Sequence, residues 1–572
     1  MSVDDLDKSD VGNLPRLWLP GAPGPRLWLP NITQRQGPRQ FLLNSGIYAV
    51  SEDTSLALRS SLRRVPIEEF LTLVSNVSLI STHETAQLTE FLQTQGWKPQ
   101  TAMRQYQLAL LVRLMLKDYR VPDARQWPVA DQLGKLRLLV EWSRMASEML
   151  ALADKPAPSD SYDDGAATLV RLANQQFGDF ESLRSLYPRA ILLFGECCRE
   201  SEKSAGTTLS AIIHEKIGLQ IDEILFLSLG LYAKLNAGKT GRIIEPKLMA
   251  NSPAFTRITE GQIQRLFEWL SVDYERFCAA TLEPKIGAEE GYEPYHFNPL
   301  VEHPIIKMPD GSYVLPITHY LFRRVSTGLF YDLVRSSDAG TAGRILGRAI
   351  EVYVELLMED LPSHGTILPE QNYSRGKTTC EWILNDPEGI VLVECKRISL
   401  RQRAKTTGKK EDVKRDLARE DGVGDGIAKL VETAEAISAG KLPEISSGRR
   451  ILPLLISFDE FFLANCMYIR QILSEVLEEK SVRLPEGFRY QICSISEFEK
   501  LCVFLTETRR SLAWALASKI DGEFNVPNDH PTEQWDFSAW VSRAQPSESS
   551  ASLPSHDRVY REDLEEMINR FR

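Results

Sequence analysis

The sequence predicts a multi-domain protein, an α-helical N-terminal half followed by an α/β domain whose mixed central sheet is flanked by helices. Three observations lead there. The 572 residues exceed what one ordinary hydrophobic core organises. From about 40 to 285, apolar residues recur at helical spacing almost without interruption. Beyond about 297, short apolar runs bounded by turn residues alternate with helical stretches, the order expected of a sheet with helices packed on it.

Composition narrows the class. A hydrophobic share of 43% and a charged share of 25% are ordinary for a soluble globular protein. The net charge of −11 argues against a protein that coats a polyanion along its length, so any nucleic-acid surface must be a local basic patch. The eight cysteines form no C-x-x-C pair, which fits neither a zinc nor a disulfide framework and suggests a reducing cytoplasm. The start, MSVDDLDKSD, is acidic and lacks the order of a signal peptide. The most apolar run, Ile224 to Ala233, is about half a membrane span, so a cytoplasmic protein with no membrane partner is expected.

Along the chain, residues 1–40 read as a Pro-rich tail. It repeats PRLWLP at 15–20 and 25–30 around GAPG, either as an extended segment packed on its own protein or as a docking peptide anchored by Trp18 and Trp28. Residues 41–290 form the helical domain, through which a protein partner or a second copy could bind. The stretch around Tyr106, Leu110, Val112, Leu114 and Leu116 is apolar on most sides, as in a buried helix. Residues 136–153 and 207–235 read alike, and DKPAPSDSYDDG at 154–165 could separate two subdomains.

The α/β domain is placed at 295–508. It opens with a hairpin signal, PIIKMPDGSYVLPI at 304–317, followed by helical patterns at 319–335 and 343–360. Strands are expected around 366–369, 379–384, 390–396, 451–458 and 490–495. A helix at 426–439 carries Ile427, Leu430, Ala434 and Ile437 on one face. Residues 509–572, with the Ser-rich QPSESSASLPSH and the charged YREDLEEMINRFR, read as a linker and terminal helix appended outside the site.

The chemistry concentrates in TTCEWILNDPEGIVLVECKRISL, 378–400. Pairing two strands about the turn NDPEG sets Glu381 opposite Glu394 and Ile383 opposite Leu392, with facing Cβ atoms roughly 5 Å apart. Two carboxylates at that range repel unless a cation neutralises them, which suggests a divalent-metal site. Strand alternation puts Ile390, Leu392, Glu394 and Lys396 on one face and Val391, Val393 and Cys395 on the other. An ammonium beside the carboxylates can orient or help deprotonate a water and balance the charge of a phosphate.

E-C-K after an apolar strand, with an acid on the preceding strand, resembles the PD-(D/E)xK nuclease superfamily and its restriction-endonuclease-like fold over about 340–500. The resemblance implies Mg2+ or Mn2+ held by Glu381, Glu394 and the carbonyl of Cys395, with Lys396 as catalytic lysine. It also matches Glu351, in GRAIEVYVELL, to a glutamate on the helix before the hairpin, and Lys429 to a basic residue on the helix after it. The first motif here is Cys380-Glu381 rather than Pro-Asp, and Glu370, in a literal Pro-Glu, is the alternative acid.

From Arg397 to Arg419 the chain holds nine Lys or Arg against three acids. With Arg397, Arg401, Arg403, Lys405, Lys409 and Lys410 leaving the active strand directly, this run is expected to contact nucleic-acid phosphates, DNA more than RNA. A solvated charged loop is the alternative, and TTGKK suggests a segment mobile without substrate. AGKTG at 237–241 lacks the first glycine of a phosphate loop and follows a helical pattern.

The leading functional expectation is a metal-dependent endonuclease whose helical half senses or restrains, an architecture that resembles phage-defence effectors. A non-catalytic nucleic-acid-binding scaffold and a DNA-repair nuclease are the alternatives.

Overall fold

A computed structural model describes residues 52–83, 105–117, 127–152, 162–176, 183–238, 242–243, 246–249, 257–282, 295, 297–336, 338–361, 365–397, 400–525, 531–545 and 552–571. The PRLWLP duplication and most of the 154–165 break lie outside these residues. The protein mixes helices and sheets, and among the described residues no helix is long and apolar enough to cross a membrane.

The sheet of the C-terminal half has five strands: β1 (Thr366–Pro369), β2 (Trp382–Asp386), β3 (Gly389–Lys396), β4 (Ile451–Ser457) and β5 (Gln491–Ser494). Their order is β5-β4-β3-β2-β1. β2 runs antiparallel to both of its neighbours, β1 and β3, while β4 and β5 add in parallel to β3. The hairpin register is the one the turn dictates, with Ile383 facing Leu392 and Trp382 facing Val393. Parallel strands need long crossovers. The first is supplied by α2 (Gln402–Thr407), α3 (Lys410–Leu417) and α4 (Val423–Ser438), and the second by α5 (Met467–Glu479).

β3 is buried from Gly389 to Cys395, so both its faces are covered. Ile383, Ile390 and Leu392 pack with Ile427, Leu430 and Ala434 of α4. Trp382, Val391, Val393 and Cys395 pack with Ile350, Tyr353 and Val354 of α1 (Ala339–Glu359). α6 (Ile495–Thr508) and α7 (Leu512–Asp521) join that second layer; α6 opens on a capping box between Ser494 and Glu497.

In the N-terminal half, helices at 52–62, 67–83, 105–117, 132–152, 162–176, 183–191, 209–217, 221–238, 260–270 and 274–282 build the core. The 105–117 helix is buried nearly all round, Arg113 included, as its apolar pattern predicts. Residues 242–243 and 271–273 are short strands, and they enclose the hairpin formed by 305–307 and 313–314 in a four-stranded sheet.

Several expectations are corrected. The hairpin at 304–317 forms, but it completes the helical half's sheet, and Ile306, Met308, Val314 and Ile317 lie in that half's core. The pattern at 319–335 is two helices, 318–325 and 327–334, broken at Ser326 (φ −112°, ψ −93°). The basic run is not a loose loop. It forms α2 and α3, with Thr406 and Thr407 buried, and Gly408 (φ +61°) turns between them where a Cβ would lie 2.2 Å from the Ala167 carbonyl oxygen. The C-terminal residues are not an appendage, since Phe537, Trp540, Leu553 and Val559 are fully buried and Phe571 stacks on Phe226. A small ribbon, 372–374 with 377–378, precedes Glu381 and carried no clear signal in the sequence.

Candidate active site

The acids of the hairpin meet where β2 begins and β3 ends. Glu381 stands one residue before β2, in the position facing Glu394 when the hairpin register is continued. Its Oε2 accepts the Cys395 N–H at 3.0 Å, and its carboxyl is near enough to that of Glu394 for the two to interact. Glu394 is 3% exposed, and its Oε2 is buried with no hydrogen-bond partner. Lys396 Nζ lies 3.0 Å from Glu394 Oε1 and 2.9 Å from Asp421 Oδ1.

Electrostatics follow from this crowding. Burial pushes the Glu381 carboxyl well above the usual carboxylate range, and the hydrogen bond and charge of Glu394 push it further. Burial also raises Glu351, an effect eased by Arg348 and reinforced by Glu394 and Glu370. Burial alone would lower Lys396. The carboxylates of Glu394, Glu381 and Asp421 outweigh it and raise the amine above the ordinary lysine value, which keeps it an ammonium.

α1 brings Glu351 to the same edge of the sheet. Glu351 Oε2 pairs with Arg348 at 2.6 Å, and Trp382 Nε1 donates to the Glu351 carbonyl at 3.2 Å. Glu351 senses Glu394, whereas Glu355, one turn on, senses Glu359 and Arg348. Of the two acids left open for the first motif, Glu381 is the one against Glu394. Glu370 lies to the side, its Oε1 3.8 Å from Lys429 Nζ, and that amine is also 2.5 Å from Thr378 Oγ1.

α4 closes over the lysine. A Cβ at Gly426 would stand 2.6 Å from Leu455 Cδ1 and 3.1 Å from Lys396 Cε, so glycine here lets the helix approach. Beyond the strand, Arg397 donates to the Gly343 carbonyl of α1 at 3.0 Å and reaches Asp421 at 3.5 Å.

The other expected phosphate contacts are engaged within the protein. Arg403 pairs with Asp412 at 2.9 Å, Lys405 with Asp459 at 2.7 Å and Lys410 with Glu475 at 2.5 Å, while Arg401 is 3.8 Å from Asp416. Asp412 and Asp416 are buried, so much of the run's positive charge anchors α2 and α3. Arg401 and Arg403 keep side chains 65% and 52% exposed and still face solvent.

Two side chains of the site escaped the sequence reading. Asp421 precedes a glycine at the start of α4, a turn signal that places an acid there but does not say that it reaches Lys396. Arg348 lies one helical turn before Glu351, a spacing that allows the pair.

The donor set suits a hard cation in part. Two carboxyls facing each other need a shared proton or a positive charge between them, and the unpartnered Glu394 Oε2 is a buried oxygen of the kind a cation satisfies. Yet among the described residues no three His, Cys, Asp or Glu side chains stand close enough together to hold a metal ion as they are. Glu351 Oε2 is taken by Arg348, so its use as a third ligand would require that pair to open. No protein-family model, curated protein or solved structure matches the chain.

Proposed function

We propose that this protein is a metal-dependent nuclease of PD-(D/E)xK type, hydrolysing phosphodiesters of nucleic acid, DNA in preference to RNA. One observation carries the reading: Glu381 and Glu394 face each other at the end of a hairpin, with the Lys396 ammonium 3.0 Å from Glu394 and a buried Glu394 oxygen left without a partner. Carboxylates and an ammonium gathered at the ends of two inner strands suit chemistry in which charge builds on phosphate oxygens.

Glu381 and Glu394, with Glu351 and the Cys395 carbonyl, are the groups that would hold Mg2+ or Mn2+, whose charge supplies Lewis-acid polarisation of the phosphate. Lys396, held protonated, donates a hydrogen bond to a phosphate oxygen or orients the attacking water; its raised proton affinity makes it a donor rather than a base. Glu394 and α4 fix the amine from two sides. Arg401 and Arg403 supply exposed positive charge alongside for the polyanion.

A helical half that restrains the cutting half fits a phage-defence effector, and this belongs to the same proposal. The absence of three ready-made ligands among the described residues favours, as a second reading, a nucleic-acid-binding protein that does not cut. The test is cleavage of plasmid, single-stranded DNA and RNA across a Mg2+ series, wild type beside Lys396→Ala. Cleavage that needs the metal and Lys396 supports the nuclease; binding without cleavage of any substrate supports the second reading.

A further inference from the structure

Lys396 and Arg397 are consecutive, so strand alternation should send them to opposite faces. β3 ends at Lys396, and both side chains converge on one carboxylate, that of Asp421. Asp421 is an unusual choice for that place. Its backbone is left-handed (φ +55°), a conformation that costs most residues energy and that Asp tolerates better than most. The side chain is 60% exposed although it binds an amine that is only 11% exposed. The turn is tied by the Asp421 N–H, which donates to Asp425 Oδ2 at 2.8 Å. Arg397 is anchored independently by the Gly343 carbonyl, so its guanidinium stays in place without Asp421. A single anion with two oxygens, reached from solvent and lying across an ammonium and a guanidinium, has the charge and shape of two non-bridging phosphate oxygens.

We propose that Lys396 and Arg397 form an anion seat for a substrate phosphate, and that Asp421 occupies this seat in the free protein and is displaced when the phosphate enters. The phosphate's identity as part of a nucleic acid rests on the nuclease reading; the seat does not. Asp421 is thus a competitor built into the chain. It holds Lys396 in position before substrate arrives, and it sets a threshold that a weakly held anion does not cross. Glu394 remains beside Lys396 and opposes any anion there, so the gain from removing Asp421 is bounded.

The test is calorimetric titration of the full chain with inorganic phosphate in metal-free buffer. Asp421→Asn keeps the shape and suits the left-handed turn; Asp421→Gly removes the side chain and suits it as well. Both should bind inorganic phosphate roughly two- to fivefold more tightly than wild type, the range for releasing a part-exposed ion pair. Glu420→Gln, one residue away and exposed, removes the same charge and should leave the affinity unchanged. Adding Arg397→Gln to Asp421→Asn should abolish the gain. Equal gains from Glu420→Gln and Asp421→Asn, or no measurable phosphate binding by either Asp421 variant, would overturn the seat. Mg2+-dependent cleavage by wild type, measured in parallel, separates the two ideas. Cleavage with no phosphate effect leaves the nuclease and sinks the seat; a phosphate effect with no cleavage of any nucleic acid does the reverse.

Discussion

Glu499→Gln should destabilise this protein out of proportion to its small chemical change. Glu499 lies on α6 and accepts both arms of Arg189, at 2.6 and 2.7 Å, from the 183–191 helix of the N-terminal half. Tyr353 of α1 donates to the same carboxylate at 2.7 Å and meets His556 Nε2 at 2.8 Å, so four distant segments share one buried network. Both charged side chains are at most 4% exposed. Removing one partner of such a pair costs about 3–5 kcal/mol, because the other charge stays buried. Glutamine still accepts one hydrogen bond, worth about 1 kcal/mol, so a net loss of roughly 2–4 kcal/mol is expected. Urea unfolding followed by circular dichroism reads this directly as a lower midpoint. Arg189→Met combined with Glu499→Met removes both charges and should recover at least half of the loss. If Glu499→Gln costs under about 1 kcal/mol, or the double variant is no better than the single one, the network is not what joins these segments.

Other outcomes follow from the site and its supports. Lys396→Ala should abolish cleavage yet retain nucleic-acid binding in gel shifts, whereas Arg401→Ala with Arg403→Ala should weaken binding and flatten its salt dependence. Gly426→Ala gains about 1 kcal/mol of helix propensity against an overpacking cost of about 1–3 kcal/mol, so melting should shift little while the displaced lysine lowers cleavage about tenfold or more. His556 is held below its ordinary value of 6.5, chiefly by burial. Protonation therefore favours the unfolded chain: the stabilising contribution is present above pH 6.5 and is lost as pH falls through the lower folded value. Melting at pH 7.5 and 5.5 should show this loss, and His556→Gln should lessen the difference.

The hairpin was legible because its evidence is local. A turn of fixed length sets the register, and the register sets Glu381 against Glu394. Period-two alternation likewise assigned Val391 and Val393 to one core and Ile390 and Leu392 to the other. The basic run was misread because composition counts charges without their partners. Asp412 and Asp416 are few, but they are buried beneath the arginines. The C-terminal residues misled for a related reason. Ser and Pro suggested a linker, while the anchors are few: Phe537 and Trp540 sit on one short helix, with Trp540 against Phe504, Trp514 and Phe524, and Phe571 finds its partner Phe226 hundreds of residues away. Asp421 was hidden because its contact with Lys396 spans 25 positions and two helices, α2 and α3.

The small sheet of the N-terminal half fixes how this chain can be divided. Its outer strands, 242–243 and 271–273, do not pair with each other; the two inner strands, 305–307 and 313–314, come from beyond the apparent boundary near 290. A fragment ending there would keep both outer strands and lose everything they bond to. During synthesis, the helical half must wait with its sheet open until residue 314 has emerged. Expressed as two pieces divided at 290, the fragments have a reason to find each other, since the second carries the missing centre of the first. The same cut that would spoil the helical half as a free-standing protein would make it a receptor for the rest.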